Sequence, residues 1–168
     1  MKEDVMMKTL IVYATKYGST KKCAHLLGDK IHDHVDYLDL ESSVNKDLVH
    51  FDTIIIGGPL YMGQIRKDIT SFCEEHLEML KSKHLGLFIC GIQEEEVIKD
   101  ELQSSFPPEL IAKASVTAHF GGQFQFEDMS FFDKAITRKV AKISSDYSDI
   151  REETIKEFAH MLNTKVED

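Results

Sequence analysis

An apolar run that stops at a cluster of hydroxyls and continues at once as a helix constrains this chain more than any other feature. The run is Leu10-Ile11-Val12-Tyr13-Ala14, and the cluster is Thr15-Lys16-Tyr17-Gly18-Ser19-Thr20. A run of this kind reads as a strand buried on both faces. Beyond the turn, Cys23, Leu26, Leu27 and Ile31 fall on one face of a helix over roughly 19–32. Strand, turn and helix in direct succession gather backbone N–H groups and side-chain donors at a helix N-terminus, which is a ready anion site. The turn lacks the Gly-x-x-x-x-Gly-Lys-Ser/Thr of a nucleoside-triphosphate loop and the Gly-x-Gly-x-x-Gly of a dinucleotide loop. A terminal monophosphate suits it better. Thr15, Ser19 and Thr20 can donate to its oxygens, and Gly18 lets the backbone approach closely. The same residues also fit a plain helix start with Ser19 or Thr20 as N-cap.

The alternation repeats along the chain. Val35 to Leu40 alternates apolar and polar residues, as a strand near a sheet edge does. Ile54-Ile55-Ile56 demands a central buried strand, His84 to Cys90 reads as a fourth, and Ala114 to Phe120 as a fifth. Helices fall between them. One begins near Ile65 with Ile69, Phe72, Cys73, Leu77 and Leu80 inward; another opens at Glu94-Glu95-Glu96 and stops before Pro107-Pro108. Phe132, Ile136, Val140 and Ile143 recur at helical spacing. Asp149 and Glu152 resemble a capping box for a last helix that faces inward with Ile155, Phe158, Ala159 and Leu162. Strands alternating with helices predict an α/β fold, a doubly wound parallel sheet of five strands with helices on both faces. The 168 residues suit a single domain, with residues 1–7 as a short N-terminal extension.

The formal net charge of -9 argues against nucleic acid as a partner. The apolar runs are too short to span a bilayer, and residues 1–14 lack the features of a signal peptide. Cys23, Cys73 and Cys90 form no Cys-x-x-Cys pair, so a reduced cytoplasmic protein is expected. The eight histidines show no metal-ligand spacing, and no metal site is expected.

In parallel sheets of this kind ligands sit at the carboxyl ends of the strands. Three loops fall there: 15–20, 58–64 and 91–94. The first suits phosphate. The second, around Pro59, Leu60, Tyr61, Met62 and Gly63, offers Tyr61 as a stacking plane and glycines for close backbone contact. The third offers backbone amides at Gly91, Ile92 and Gln93. A flat, phosphorylated heteroaromatic ligand fits all three.

These residues resemble the flavodoxin-like family, with Thr15-Lys16-Tyr17-Gly18-Ser19-Thr20 in place of its Ser/Thr-x-Thr-Gly-x-Thr phosphate loop. The resemblance covers about 8–163. Three blocks, IIIGGPLYMGQIRKDITSF, GGQFQFEDMSFFDKAITRKVAKI and SDYSDIREETIKEFA, are most similar to the branch that includes the menaquinone-dependent protoporphyrinogen oxidases. The resemblance implies FMN as cofactor, strand order 2-1-3-4-5, and FMN contacts from Thr15, Lys16, Tyr17, Gly18, Ser19, Thr20, Pro59, Leu60, Tyr61, Met62, Gly63, Gly91, Ile92 and Gln93. It implies an FMN-dependent oxidoreductase, of the protoporphyrinogen oxidase type, or a flavodoxin-type single-electron carrier. The redox donor and acceptor would be proteins or a quinone, with peripheral membrane contact allowed. A flavin-free interaction module on the same fold is the reading of a different class. Two departures stand out. Tyr17 replaces a hydroxyl residue, and Glu127, Asp128 and Asp133 interleave the aromatic segment Phe124, Phe126, Phe131 and Phe132. The acidic residues weigh against a carboxylate-bearing substrate, while Lys134, Arg138, Lys139 and Lys142 restore part of a positive field.

Overall fold

The computed structural model describes residues 7–42, 44–92, 95–141 and 145–165. Five parallel strands form its centre: β1 (Lys8–Tyr13), β2 (His34–Asp39), β3 (Thr53–Tyr61), β5 (His84–Cys90) and β6 (Val116–His119). Their order is β2-β1-β3-β5-β6, and a two-residue strand β4 (Gln64–Ile65) folds back on β3. The five parallel strands thus stand in the expected 2-1-3-4-5 sequence. Ile54, Ile55 and Ile56 occupy the middle strand, each fully buried and paired with β1 on one side and β5 on the other. Alternation divides them between two cores. Leu10, Val12, Ile54 and Ile56 face one layer with Ile69, Phe72, Leu80 and Leu110. Ile11, Tyr13, Ile55 and Phe88 face the other with Leu27, Phe120, Ile155 and Phe158. Burying each large aliphatic side chain contributes about 1.5–3 kcal/mol before ordering costs.

The helices are α1 (Ser19–Gly28), α2 (Lys67–Glu75), α3 (Leu77–Lys81), α4 (Glu95–Ser105), α5 (Pro108–Lys113), α6 (Phe131–Ile136) and α7 (Glu152–Lys165). The first is shorter than its periodicity predicts. The apolar pattern after β4 is split between α2 and α3 at His76, whose φ of -110° and ψ of 20° interrupt the helix while its ring packs 4.6 Å from that of Phe72. The helix α4 ends before the two prolines, as expected, and Pro108 starts α5.

Two expectations are corrected. The segment Gly57 to Tyr61 is strand rather than loop. The β3 strand carries on past its partner β1 and turns back only at Met62-Gly63, with φ of 52° and 77°. Two consecutive positive φ values are the signature of a type I′ hairpin, whose twist matches that of the flanking strands. Asp149 is not a helix cap. It lies in β8 (Tyr147–Ile150), paired with Gly122 of β7 (Gly121–Phe124), and α7 starts three residues later. The β7–β8 pair forms a second, antiparallel sheet. Gly121 makes it possible, since its φ is 73° and a Cβ there would lie 1.8 Å from the Asp149 carbonyl oxygen.

Of the helically spaced Phe132 and Ile136, Phe132 is exposed and Ile136 half-buried. Phe131 and Phe132 are 86% and 67% exposed, and α6 passes into a π-type turn over Thr137–Ala141. Ile143 and Lys142 lie outside the described residues. Phe126, by contrast, is buried, with Arg138 above its ring at 4.9 Å.

Candidate functional site

The phosphate-type loop forms because β1 ends in the sheet centre and α1 starts six residues later. Gly18, with φ of 91°, stands at the N-cap of α1 and brings no side chain to cap it. Ser19 is already the first helical residue, so the reading of Ser19 or Thr20 as N-cap is corrected. The Thr15 hydroxyl accepts from the Gly18 N–H at 2.9 Å and keeps its own hydrogen to donate. The Ser19 hydroxyl accepts from the Gln123 N–H at 3.0 Å and keeps its hydrogen likewise. Thr20 is fully buried, and among the described residues its hydroxyl has no hydrogen-bond partner. An orphaned hydroxyl at a helix N-terminus is costly unless a ligand satisfies it. Arg66 braces the loop from the side. Its guanidinium donates to the Thr15 carbonyl at 2.7 Å, to Glu41, and across 3.3 Å to Asp68.

Tyr61 and Met62 stand at the tip of the β3–β4 hairpin, 39% and 65% exposed. Pro59 and Leu60 are in β3 itself, half-buried, with Pro59 opposite Cys90 and Leu60 opposite Ile65. The loop is tied to α6. The Asp133 carboxylate, 4% exposed, takes the Lys16 ammonium at 2.7 Å and a hydrogen bond from the Tyr17 hydroxyl. Lys16 also lies 4.5 Å from the Tyr61 ring centre, over its face. Burial pushes the Asp133 carboxyl up, but the bonds from Lys16 and Tyr17, with the Tyr61 hydroxyl nearby, outweigh it and hold it below its ordinary range. The bond to Asp133 raises Lys16 in turn, against the lowering effect of burial.

The third loop differs from expectation. The Gly91 N–H donates to the Gly121 carbonyl at 2.9 Å, so that amide is spent on β7 rather than offered to a ligand. Ile92 is half-buried, and Gln93 lies outside the described residues. Cys90, at the end of β5, is 1% exposed and turns inward against Cys23, its thiol pushed up by burial. Behind this loop His119 is buried and accepts from the Gly121 N–H at 3.3 Å. Desolvation, helped by Arg151, lowers its pKa to about 4, so it is neutral at physiological pH.

Sequence reasoning missed Asp133, Arg66 and Gln123. Asp133 had a usable signal: Ser130-Phe131-Phe132-Asp133 is a capping sequence, and Ser130 does accept from the Asp133 N–H at 3.1 Å. That fixes a helix start and hence where the carboxylate sits. Gln123 binds Lys22 at 3.1 Å and Ser148 at 3.3 Å through its side chain, on a strand that the double glycine concealed.

A family model described as a flavodoxin domain matches residues 10–151. No curated protein matches significantly. Among solved structures, the Streptococcus pneumoniae TIGR4 flavodoxin is 16% identical with a TM-score of 0.56, over 94% of this chain and 99% of that one. A Fusobacterium nucleatum flavodoxin mutant, solved bound to flavin mononucleotide, is 14% identical with a TM-score of 0.54, over 97% and 99%. The Flv1 flavodiiron core from Synechocystis is 15% identical with a TM-score of 0.54, but the 96% of this chain that aligns spans only 36% of its length. With the sheet order, the phosphate-type loop and the family match in agreement, the chain belongs to the flavodoxin-domain family.

Proposed function

We propose that this domain binds FMN at the carboxyl ends of β1, β3 and β5 and acts as a redox protein. One observation carries the reading: the fully buried, unpartnered Thr20 hydroxyl lies in the first turn of a helix whose N-cap is a glycine, with the Thr15 and Ser19 hydroxyls alongside. That donor set suits a dianionic phosphate, which would satisfy the orphan and gain from the helix dipole. Tyr61, at the tip of the adjacent hairpin, suits a flat ring. Bound there, the flavin supplies electron transfer, and the chain binds and orients it.

Thr20→Val tests the phosphate assignment. In the free protein the hydroxyl faces only the Cys90 thiol, a weak partner, so thermal stability of the flavin-free form should hold or rise. FMN affinity should fall by about tenfold or more, while riboflavin, which lacks the phosphate, binds as before. Unchanged FMN affinity would remove the assignment.

A second reading within this one is an FMN-dependent oxidoreductase of the protoporphyrinogen oxidase type. Two things support it: the three sequence blocks noted above, and the exposed Met62, Phe131 and Phe132 on the elements that carry Tyr61 and Asp133. Such a rim suits an apolar small-molecule reductant or a quinone. Porphyrin formation with a quinone as acceptor would support the enzyme. Reduction in two separated one-electron stages, with no porphyrinogen oxidation, would support a carrier between protein partners.

A further inference from the structure

The Gly121 turn is bonded to two of the three loops around the site, and one buried imidazole holds it. Gly121 follows the end of β6 with a φ of 73°. Its carbonyl accepts from the Gly91 N–H at 2.9 Å, which ties down the third loop. Two residues further on in β7, the Gln123 N–H donates to the Ser19 hydroxyl at 3.0 Å, which ties down the phosphate-type loop. The Gly121 N–H itself donates to Nδ1 of His119 at 3.3 Å. His119 is the last residue of β6, at the same carboxyl edge of the sheet as the loops, and it is 4% exposed. The bond fixes the tautomer. Nδ1 accepts, so it carries no hydrogen, and the single hydrogen of the neutral ring sits on Nε2. Among the described residues that Nε2 is buried with no hydrogen-bond partner. A second proton would have to go to Nδ1, where it would face the Gly121 N–H, donor against donor. The turn would then lose its acceptor, and its bonds toward Gly91 and Ser19 would lose their support.

We propose that His119 is a positioning residue for the flavin: as a neutral imidazole it accepts from the Gly121 N–H, fixes the Gly121 turn, and through that turn holds the Gly91 loop and the Ser19 hydroxyl in place for the ligand. This rests on the FMN reading. The advantage is preorganisation, since loops already fixed lose less freedom when the ligand arrives. The surroundings keep the ring neutral. Burial, helped by Arg151 just after β8, lowers its pKa to about 4, while the Gly91 backbone, Glu95 of α4 and Asp149 of β8 act in the opposite sense and are outweighed. Arg151 is itself paired with Glu95 at 2.7 Å. The folded ring is therefore neutral at physiological pH, and the hold on the turn is lost as pH falls through about 4.

The test follows FMN by its fluorescence in wild-type protein, His119→Asn and His119→Leu. The Asn Oδ1 is attached to Cγ, as Nδ1 is, so Asn keeps the acceptor and removes the titration. Leu removes both. At neutral pH, His119→Asn should bind FMN within about twofold of wild type, and His119→Leu about tenfold more weakly, because the Gly121 N–H is left buried without an acceptor. After a rapid drop to a pH about half a unit below the folded pKa, wild-type protein should release FMN before its far-ultraviolet circular dichroism decays. His119→Asn should release it about fivefold more slowly. Leu binding as wild type does, Asn binding as weakly as Leu, or equal release from wild type and Asn would each overturn the proposal. So would wild-type release that coincides with the loss of circular dichroism, since that assigns His119 a merely structural role. Thermal melts of the flavin-free proteins check folding. If Leu does not fold, the acid release of wild type against Asn decides; if Asn does not fold either, the order of release and unfolding in wild type decides alone. Wild-type protein that binds no FMN at neutral pH would instead defeat the FMN reading and the proposal with it, so the two failures are distinguishable.

Discussion

Single residues here show which groups await a ligand and which are already occupied. Thr20 awaits one; Asp133 is satisfied by Lys16 and Tyr17. The pH behaviour of the Lys16–Asp133 pair follows from its two shifted groups. Asp133 titrates below its ordinary value of 3.8, so its contribution is present above 3.8 and is lost only as pH falls through the lower folded value. Lys16 is raised above 10.5, so its contribution is complete below 10.5 and is lost only at higher pH. FMN affinity should therefore be indifferent to this pair across neutral pH. His119 behaves differently. Its folded pKa of about 4 lies below the ordinary 6.5, so the stability it confers is present above pH 6.5 and is lost as pH falls toward 4. The full loss is about 3 kcal/mol. His119→Gln should flatten the fall in thermal stability between those limits. An unchanged pH profile in that variant would contradict the burial of a neutral imidazole. Met62 holds a φ of 52°, an uncommon value for a side chain of its size. Met62→Asn should stabilise the hairpin by a few tenths to about 1 kcal/mol in a denaturant melt, because Asn tolerates that conformation.

At the scale of elements, the strands were legible and the accessory structure was not. Leu10–Tyr13, Ile54–Ile56 and Leu85–Cys90 are buried on both faces, and nothing but a central parallel strand accommodates such runs. The inward residues Ile155, Phe158, Ala159 and Leu162 of α7 were equally readable, because one helix face meets one core. The double glycine Gly121-Gly122 does close the fifth strand, which ends at His119, but Gly121 also opens β7. A Cβ on Gly122 would stand in ordinary contact, 3.4 Å from both the Gly91 nitrogen and the Ser19 hydroxyl. No local pattern announces a strand whose partner β8 lies 23 to 29 residues further along the chain, as Asp149 does from Gly122. Phe131 and Phe132 are exposed on α6: helical spacing reports a helix, not which of its faces is covered. Gly121→Ala provides the check at this scale. With a carbonyl 1.8 Å from the new Cβ and a φ of 73°, it should cost more than about 1 kcal/mol and detach β7 from Ser19. FMN affinity should fall along with it, and preserved affinity in a destabilised variant would show that the β7–β8 pair is only a cover.

For the whole molecule, a net charge of -9 surrounds a site that draws in Lys16, Lys22 and Arg66. The local cations favour an anionic ligand, whereas the global charge opposes adding electrons to it. The midpoint potential of bound FMN should therefore rise as added salt screens the global term, and a potential independent of ionic strength would place its control entirely within the site. Among the described residues, no helix is long and apolar enough to cross a membrane. The measurement that bears most directly on the account is the visible absorption of the purified protein during titration with FMN. The expected result is a yellow protein that takes up a single FMN per chain, with flavin bands displaced from those of free FMN. A colourless protein that leaves added FMN unbound would contradict the account and leave the fold as the platform of an interaction module.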